Sequence, residues 1–288
     1  MWKMLGLLTG GMAAGLLLRS EYEKRHFVTE EITIASDKIK ADRRVVFLSD
    51  LHNKEFGHKN RELLEAIERI RPDVVLIGGD TIVSRPDRRT DLSVTINLIQ
   101  ALAKRYPVYY ANGNHEQRLA WDPDVYGSSY KELRKELKKA GVCHLSDKTV
   151  SLGEDIRVSG LNIDRIYYRK FKYPQLKKSY IDQHLGRPDS SRYQILLAHS
   201  PMFFAAYSDW GADLSLAGHV HGGTIRLPLL GGVMTPQFQF FVPWCAGFFE
   251  RSGKHLLVSR GLGTHSINIR LNDKPQVLVV NLKSKTTF

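Results

Sequence analysis

The chain has 288 residues, of which 42% are hydrophobic and 25% charged, and this composition excludes long disorder and is typical of a globular protein with a sizeable core. Lysine and arginine number 42 against 30 aspartates and glutamates, so the surface is expected to attract anions such as phosphates, anionic lipid head groups or nucleic acid. A generally basic surface would give the same count. The two cysteines, Cys143 and Cys245, have no metal-binding spacing and are predicted to be reduced thiols.

The N-terminal residues 4–18 are apolar or small, with Lys3 before them and Arg19 after them. This run is short for a bilayer span and long for a core strand, so we interpret it first as an uncleaved signal anchor. A cleaved signal peptide and a buried N-terminal helix are the alternatives. Residues 1–31 are therefore assigned to an anchor or signal peptide with a linker, and residues 32–288 to the folded domain. We expect association with the cell membrane, and the basic residues at both ends of the run leave the side open.

Three compact apolar runs at residues 45–48, 74–77 and 108–111 predict buried strands, and polar residues follow each of them. Helical periodicity between these runs, at residues 61–70 and 92–105, predicts parallel βαβ units. The second half is richer in short strands, predicted at residues 149–152, 156–161, 193–198, 213–216, 238–242, 255–259, 266–271 and 276–281. We therefore predict an α/β fold with two mixed sheets packed face to face and helices outside.

Potential metal ligands follow these apolar runs, and the carboxyl ends of strands in α/β sheets converge on one crevice. Taken singly, each ligand has a structural explanation, such as a helix cap for Asp50, a turn residue for Asn114 or a core histidine for His199. Together they indicate a metal centre, because imidazole and carboxylate ligands suit Zn, Mn and Fe. Two such ions need a bridging anionic ligand, which a central aspartate can provide. The candidate ligands are Asp50, His52, Asp80, Asn114, His199, His219 and His221.

Five ordered motifs resemble those of the calcineurin-like metallophosphoesterase superfamily. In this sequence they are Ser49-Asp50-Leu51-His52, Gly78-Gly79-Asp80, Gly113-Asn114-His115-Glu116, Ala198-His199-Ser200 and Gly218-His219-Val220-His221. The N-terminal apolar run and the sequence of residues 218–228 are similar to the bacterial membrane-linked, phosphodiesterase-like branch. The resemblance implies a four-layer αββα sandwich and the hydrolysis of phosphate esters.

The resemblance also implies a role for each candidate residue. One ion is expected on Asp50, His52, Asp80 and His221. The other ion is expected on Asp80, Asn114, His199 and His219. A water or hydroxide activated between the ions would attack phosphorus in line. His115 is implied to lie near the leaving group, where it could protonate the departing oxygen or stabilise the developing charge. The two divalent ions are expected to be Mn, Zn or Fe.

The motifs define the reaction class and leave the substrate open. We favour a membrane-associated phosphodiesterase or lipid-directed phosphohydrolase that acts on a lipid or cell-envelope phosphate ester. A nuclease or nucleotide phosphodiesterase is the alternative, supported by the basic charge and by aromatics that could stack on bases, although nucleic acid is not the favoured partner. A non-catalytic binding protein is a third hypothesis. It predicts missing ligands, and none is missing.

Two segments bear on the choice of substrate. An aromatic run that follows the last ligand could line an apolar cleft, but we favour packing in the sandwich core because strand aromatics usually point inward. The members of this run are Phe238, Phe240, Phe241, Trp244, Phe248 and Phe249. The basic and aromatic residues 165–173 could cap the site, lie on an anionic membrane or form a solvated loop.

Overall fold

The computed structural model describes residues 2–86, 90–172, 174–264 and 267–285, with side chains from residue 10 onward. In chain order the strands are β1 Val28–Ser36, β2 Arg43–Leu48, β3 Val74–Ile77, β4 Val108–Ala111, β5 Cys143–Leu145, β6 Lys148–Leu152, β7 Ile156–Leu161, β8 Tyr193–Ala198, β9 Leu214–Ala217, β10 Arg226–Leu227, β11 Gly231–Gly232, β12 Gly247–Arg251, β13 Lys254–Val258 and β14 Gln276–Ser284. The α-helices are α1 Trp2–Arg25, α2 Arg61–Ile70, α3 Ser93–Ala103, α4 Asn114–Trp121, α5 Pro123–Tyr126, α6 Ser129–Lys139, α7 Lys178–Leu185 and α8 Phe204–Trp210. Short 3-10 helices lie at His58–Asn60, Arg165–Tyr168, Pro201–Phe203, His221–Gly223 and Pro243–Cys245.

Two six-stranded mixed sheets form the centre of the molecule. The strand order of sheet one is β1-β14-β2-β3-β4-β5, in which β2 to β5 are parallel and β14 is antiparallel to β2. The order of sheet two is β12-β13-β9-β8-β7-β6, in which the four inner strands are parallel and the two edge strands antiparallel. Every residue of β3 and β8 is buried, as expected for apolar strands that are covered on both faces.

The two sheets pack face to face through an apolar core. Phe47 and Leu76 of sheet one meet Ile195 and Leu216 of sheet two in this layer. Helices α2, α3 and α6 cover the outer face of sheet one, and α7 and α8 cover the outer face of sheet two. The predicted α/β fold, with two packed sheets flanked by helices, is confirmed.

Two of the strands predicted for the second half do not join either sheet. Residues 238–242 make one isolated bridge, between Phe240 and Met234, in a surface hairpin. Residue 266 lies outside the described part of the chain, and residues 267–271 make one bridge, between Leu271 and Ile225. Phe240 and Phe241 are 61% and 52% exposed, so the prediction that these two aromatics pack in the sandwich core is wrong. Strands β10 and β11, which come just before these residues, pair with each other and join neither six-stranded sheet.

The N-terminal helix α1 is attached to the domain by its C-terminal end. The Ser20 hydroxyl accepts a hydrogen bond from the backbone N–H of Arg270 at 3.0 Å, and the Glu23 carboxylate accepts one from the N–H of Asp273 at 2.9 Å. Residues 10–19 of the helix are exposed. Among the described residues, no helix has both the length and the apolar content required to cross a bilayer. Strand β1 already begins at Val28, so the expected linker is instead the end of a helix and the start of an edge strand.

Candidate metal centre

The candidate ligands lie in loops that follow five strands, at the carboxyl ends where the two sheets meet. Asp50 and His52 follow β2, Asp80 follows β3, and Asn114 begins α4 just after β4. The remaining candidates follow β8 and β9 of sheet two; they are His199, His219 and His221. All seven residues are buried, and the most exposed of them is 7% exposed. The convergence expected for the ends of parallel strands therefore brings polar groups from both sheets into one buried space.

Three overlapping groups of side chains place their ligand atoms within 4.8 Å of one another. The first group contains Asp50, His52 and His221. The second contains Asp80, His199 and His219. The third contains His52, Asp80 and His115. Each of the first two groups contains three of the four residues in one of the ligand sets that the sequence resemblance implied; Asp80 is absent from the first group and Asn114 from the second.

Asp80 occupies the centre of this arrangement. Its Oδ2 atom lies 3.1 Å from Nε2 of His199, and 3.9 Å from Nε2 of both His52 and His115. On the other side, Nε2 of His52 lies 3.1 Å from Nε2 of His221. Asp80 is therefore placed where an anionic ligand shared between two cations would be needed.

The donor set fits a divalent cation. Asn114 is 5% exposed, and its Oδ1 atom accepts no hydrogen bond from the described residues, although buried polar atoms normally have a partner. The two aspartates offer carboxylate oxygens, and the histidines offer neutral imidazole nitrogens when they are deprotonated. Zn, Mn and Fe all accept this mixture of oxygen and nitrogen ligands.

The electrostatics of the site also favour a cation. Burial raises the pKa of Asp50 to about 6. Burial would lower the pKa of His199, but the Asp80 and Asp50 carboxylates outweigh it and raise that pKa to about 10. His199 in turn helps to hold the pKa of Asp80 well below its usual value against the effect of burial. The buried carboxylates thus require positive charge, which a protonated imidazole or a metal ion can provide.

Five of the candidate ligands have backbone conformations that are uncommon for residues other than glycine. Their φ angles are 54° at Asp50, 48° at His52, 51° at Asp80, 68° at His219 and 48° at His221. Such strained conformations cost about 1–3 kcal/mol each and tend to cluster at functional sites. Neighbouring loops hold them in place, since the Asp50 N–H donates to Gly79 O at 3.0 Å and the His52 N–H donates to Asp80 O at 3.1 Å.

Glu116 connects two of the ligand loops, and the sequence interpretation gave it no role. Its Oε2 accepts hydrogen bonds from the backbone N–H groups of Asp80 at 2.8 Å and Gly113 at 2.9 Å. Its Oε1 accepts from the N–H of Thr81 at 2.9 Å and from the Tyr110 hydroxyl at 2.7 Å. A glutamate at the third position of a helix that starts after Gly113 is half of a capping box, so this part of its role was readable from the sequence.

His115 reaches the same space from the start of α4. Its Nδ1 accepts a hydrogen bond from the backbone N–H of Ser84 at 2.9 Å and lies 2.9 Å from the Ser84 hydroxyl oxygen. Because Nδ1 accepts, the proton of the neutral ring is on Nε2, the nitrogen that faces Asp80. Ser84 was also missed, because nothing in the sequence links it to a histidine on another loop.

The segment predicted as a possible cap contributes Tyr168 to the site, while Tyr173 of that segment lies outside the described residues. The Tyr168 ring meets the His219 ring edge-on with centroids 5.0 Å apart. Its hydroxyl is buried and has no hydrogen-bond partner among the described residues. Tyr168 therefore brings a buried hydroxyl group next to the candidate ligands.

Comparison with known proteins identifies the family of the chain. The family model for calcineurin-like phosphoesterases matches residues 43–223. The chain is 27% identical to the uncharacterized metallophosphoesterase YkuE of Bacillus subtilis, over 97% of this chain and 93% of that protein. It is also 27% identical to the phosphodiesterase YaeI of Escherichia coli, over 83% of this chain and 82% of that protein. The crystal structure of TT1561 of Thermus thermophilus covers 77% of this chain and 91% of that chain, with 10% identity and a TM-score of 0.49. This chain belongs to the calcineurin-like phosphoesterase family and is a metallophosphoesterase, a hydrolase of phosphoric ester bonds.

Proposed function

We propose that the chain is a phosphodiesterase that uses two divalent ions, either Mn, Zn or Fe. The observation that carries the proposal is the pair of neighbouring buried ligand groups, one of which contains Asp80, with Asp80 Oδ2 3.9 Å from Nε2 of His52 in the other group. One ion would be held by Asp50, His52, Asp80 and His221. The other would be held by Asp80, Asn114, His199 and His219. When bound, the ions would supply positive charge for the phosphoryl oxygens and increase the acidity of the attacking water.

The protein's own groups supply the remaining chemistry. Glu116 and the glycine-rich turns hold the Asp80 loop against the start of α4, so the ligands are preorganised. His115 would donate a hydrogen bond from its Nε2–H to the departing oxygen or to a phosphoryl oxygen and stabilise the charge that develops there, and Ser84 fixes the ring in the orientation that this requires. The departing oxygen would take its proton from solvent. The Tyr168 hydroxyl is placed to donate a hydrogen bond to a substrate oxygen at the same site.

A diester is the preferred substrate class in this proposal. The Escherichia coli relative bears the name phosphodiesterase, and the present chain matches most of its length. The formal net charge of +12 would favour the approach of an anionic ester from solution or from a membrane surface. The same charge supports a nuclease as the second candidate.

We further propose that the enzyme is membrane-associated and belongs to the membrane-linked branch of the family. Helix α1 would act as an N-terminal anchor or signal segment, and the chain from β1 onward would form the catalytic domain, so the domain would start at residue 28 instead of the predicted residue 32. The supporting observation is that residues 10–19 of α1 are exposed, with Met12, Leu17 and Leu18 at 66%, 60% and 72%. A lipid or cell-envelope phosphodiester would then be the natural substrate.

Hydrolysis of bis(p-nitrophenyl) phosphate beside p-nitrophenyl phosphate tests the proposal, using the full chain with added Mn. We expect faster cleavage of the diester, and loss of activity with a chelator and in Asp80→Asn. Faster cleavage of the monoester would contradict a diesterase. Activity that survives both the chelator and Asp80→Asn would contradict the metal centre.

A further inference from the structure

One surface segment of the chain is uncharged and exposed. No residue from Leu227 to Phe249 is charged, in a chain that is 25% charged overall. Residues 227–241, here termed the apolar hairpin, contain Leu227 of β10, the partner strand β11 and the bridge between Met234 and Phe240. Leu229 and Leu230 at the turn after β10 are 106% and 63% exposed. Single exposed apolar residues are normal on protein surfaces, but a cluster without charges marks an interaction site.

The apolar hairpin borders the candidate metal centre. It is separated by three residues from the end of the 3-10 helix His221–Gly223, and the N–H of Met234 donates to Gly223 O at 3.2 Å. A small cavity of about 40 Å³ lies between the hairpin and the metal centre, lined by His221, Thr224, Met234, Phe238 and Ile267 among others. Whatever covers the hairpin is therefore brought close to the metal ligands.

A second segment with exposed leucines, in α1, is linked to the base of the hairpin. Asn272 donates a hydrogen bond to the Arg226 carbonyl at the base of the hairpin at 3.2 Å, and accepts one from Arg19 of α1 at 3.4 Å. Arg19 follows Leu17 and Leu18, which are 60% and 72% exposed. Two segments that are far apart in sequence, each with exposed leucines, are thus linked through Asn272.

One basic residue from a neighbouring segment lies against the hairpin. The Lys170 ammonium lies 4.7 Å from the ring centroid of Phe238. Phe171, which is 70% exposed, stacks on the same ring with centroids 5.5 Å apart. Aromatic and leucine side chains with neighbouring cations are the chemistry of proteins that insert shallowly into an anionic bilayer surface.

We propose that the apolar hairpin docks on an anionic lipid bilayer and turns the mouth of the metal centre towards the head groups. This inference rests on the proposed function for its substrate class, a phosphodiester presented in the head-group layer. The hairpin and the exposed part of α1 then act as two membrane contacts, and two contacts are what stable but reversible membrane binding requires.

Co-sedimentation with vesicles tests the docking surface. The full chain is compared with Leu229→Ser/Leu230→Ser on vesicles of phosphatidylglycerol and phosphatidylcholine, and on phosphatidylcholine alone. Val125→Ser is the matched control, because Val125 is 52% exposed on α5 and lies outside the hairpin. We expect the double variant to bind the anionic vesicles at least about tenfold more weakly than wild type, and the control to bind like wild type. Equal binding by all three proteins would overturn the proposal.

Further readouts separate this inference from the proposed function. The double variant should retain wild-type turnover of bis(p-nitrophenyl) phosphate, whereas Asp80→Asn should lose turnover and still bind vesicles. A wild-type chain that binds vesicles through the hairpin but cleaves no diester would contradict the proposed function alone. A wild-type chain that cleaves the diester but binds vesicles no better than the double variant would contradict the docking alone. If the wild-type chain were a dimer in the absence of lipid and the double variant a monomer, the hairpin would bind a second copy of the chain. That result would overturn the docking on lipid.

Discussion

Replacing Glu116 by glutamine removes a charge and one acceptor from the junction between two ligand loops. The carboxylate accepts hydrogen bonds from three backbone N–H groups, those of Asp80, Thr81 and Gly113, at 2.8 to 2.9 Å. Glutamine can place its oxygen where Oε2 meets Asp80 and Gly113. Its NH₂ group must then face the N–H of Thr81, so that one buried donor loses its acceptor.

The magnitude follows from that lost acceptor. A buried donor without a partner costs about 1–3 kcal/mol. Burial and the nearby Asp80 carboxylate raise the pKa of Glu116, so loss of the charge offsets part of this cost. We therefore expect Glu116→Gln to lower the free energy of unfolding by about 1–3 kcal/mol. Because Asp80 has a φ of 51° that the Glu116 contact helps to maintain, metal affinity should fall as well.

Urea unfolding with saturating metal and after chelation measures both effects. Glu65→Gln is the control, since Glu65 is 53% exposed and pairs with Arg61 on the surface of α2 at 3.7 Å. That change should alter stability by less than about 0.5 kcal/mol. A Glu116→Gln protein with the stability of Glu65→Gln and unchanged metal affinity would refute the role assigned to the junction.

Three further changes test separate parts of the account. His115→Ala should keep its metal content and lose about 10²–10³-fold in turnover, because one donor to the developing charge is removed, and loss of the metals would show a structural or ligand role. Ser84→Ala, which keeps the backbone donor to His115, should lower turnover by less than about tenfold with little change in KM; a rise in KM alone would contradict orientation of the ring. Burial raises the pKa of Asp155, but the hydrogen bonds from Arg43 and from the backbone of Lys40 outweigh it and hold that pKa below 3.8. Asp155→Asn should therefore lower the free energy of unfolding in urea at pH 7. The difference in this free energy between variant and wild type should shrink as the pH falls through the lowered pKa, and a difference independent of pH would contradict this.

The fold was predictable where local sequence agrees with the final structure. The apolar runs that predicted β2, β3 and β4 are buried strands of sheet one, because parallel strands covered on both faces need continuous apolar sequence. The same rule placed the candidate ligands, since each follows such a run. Their roles as metal ligands remain predictions, although the structure brings their atoms together.

The failures of the sequence interpretation have physical reasons. Alternating aromatics occur in core strands and in exposed hairpins alike, so Phe240 and Phe241 could not be distinguished from core residues by pattern. Ser20 and Glu23 look like linker residues until their partners near Arg270 are known. These contacts join residues about 250 positions apart, and no local signal encodes them.

Turnover of bis(p-nitrophenyl) phosphate, measured as Mn is added back stepwise to the metal-free full chain, tests the central claim most directly. The account predicts that activity reaches its plateau at two equivalents of Mn per chain, and that Asp80→Asn binds less metal and has no activity at any ratio. Full activity at one equivalent, or in the metal-free chain, would contradict the arrangement of two ions around Asp80.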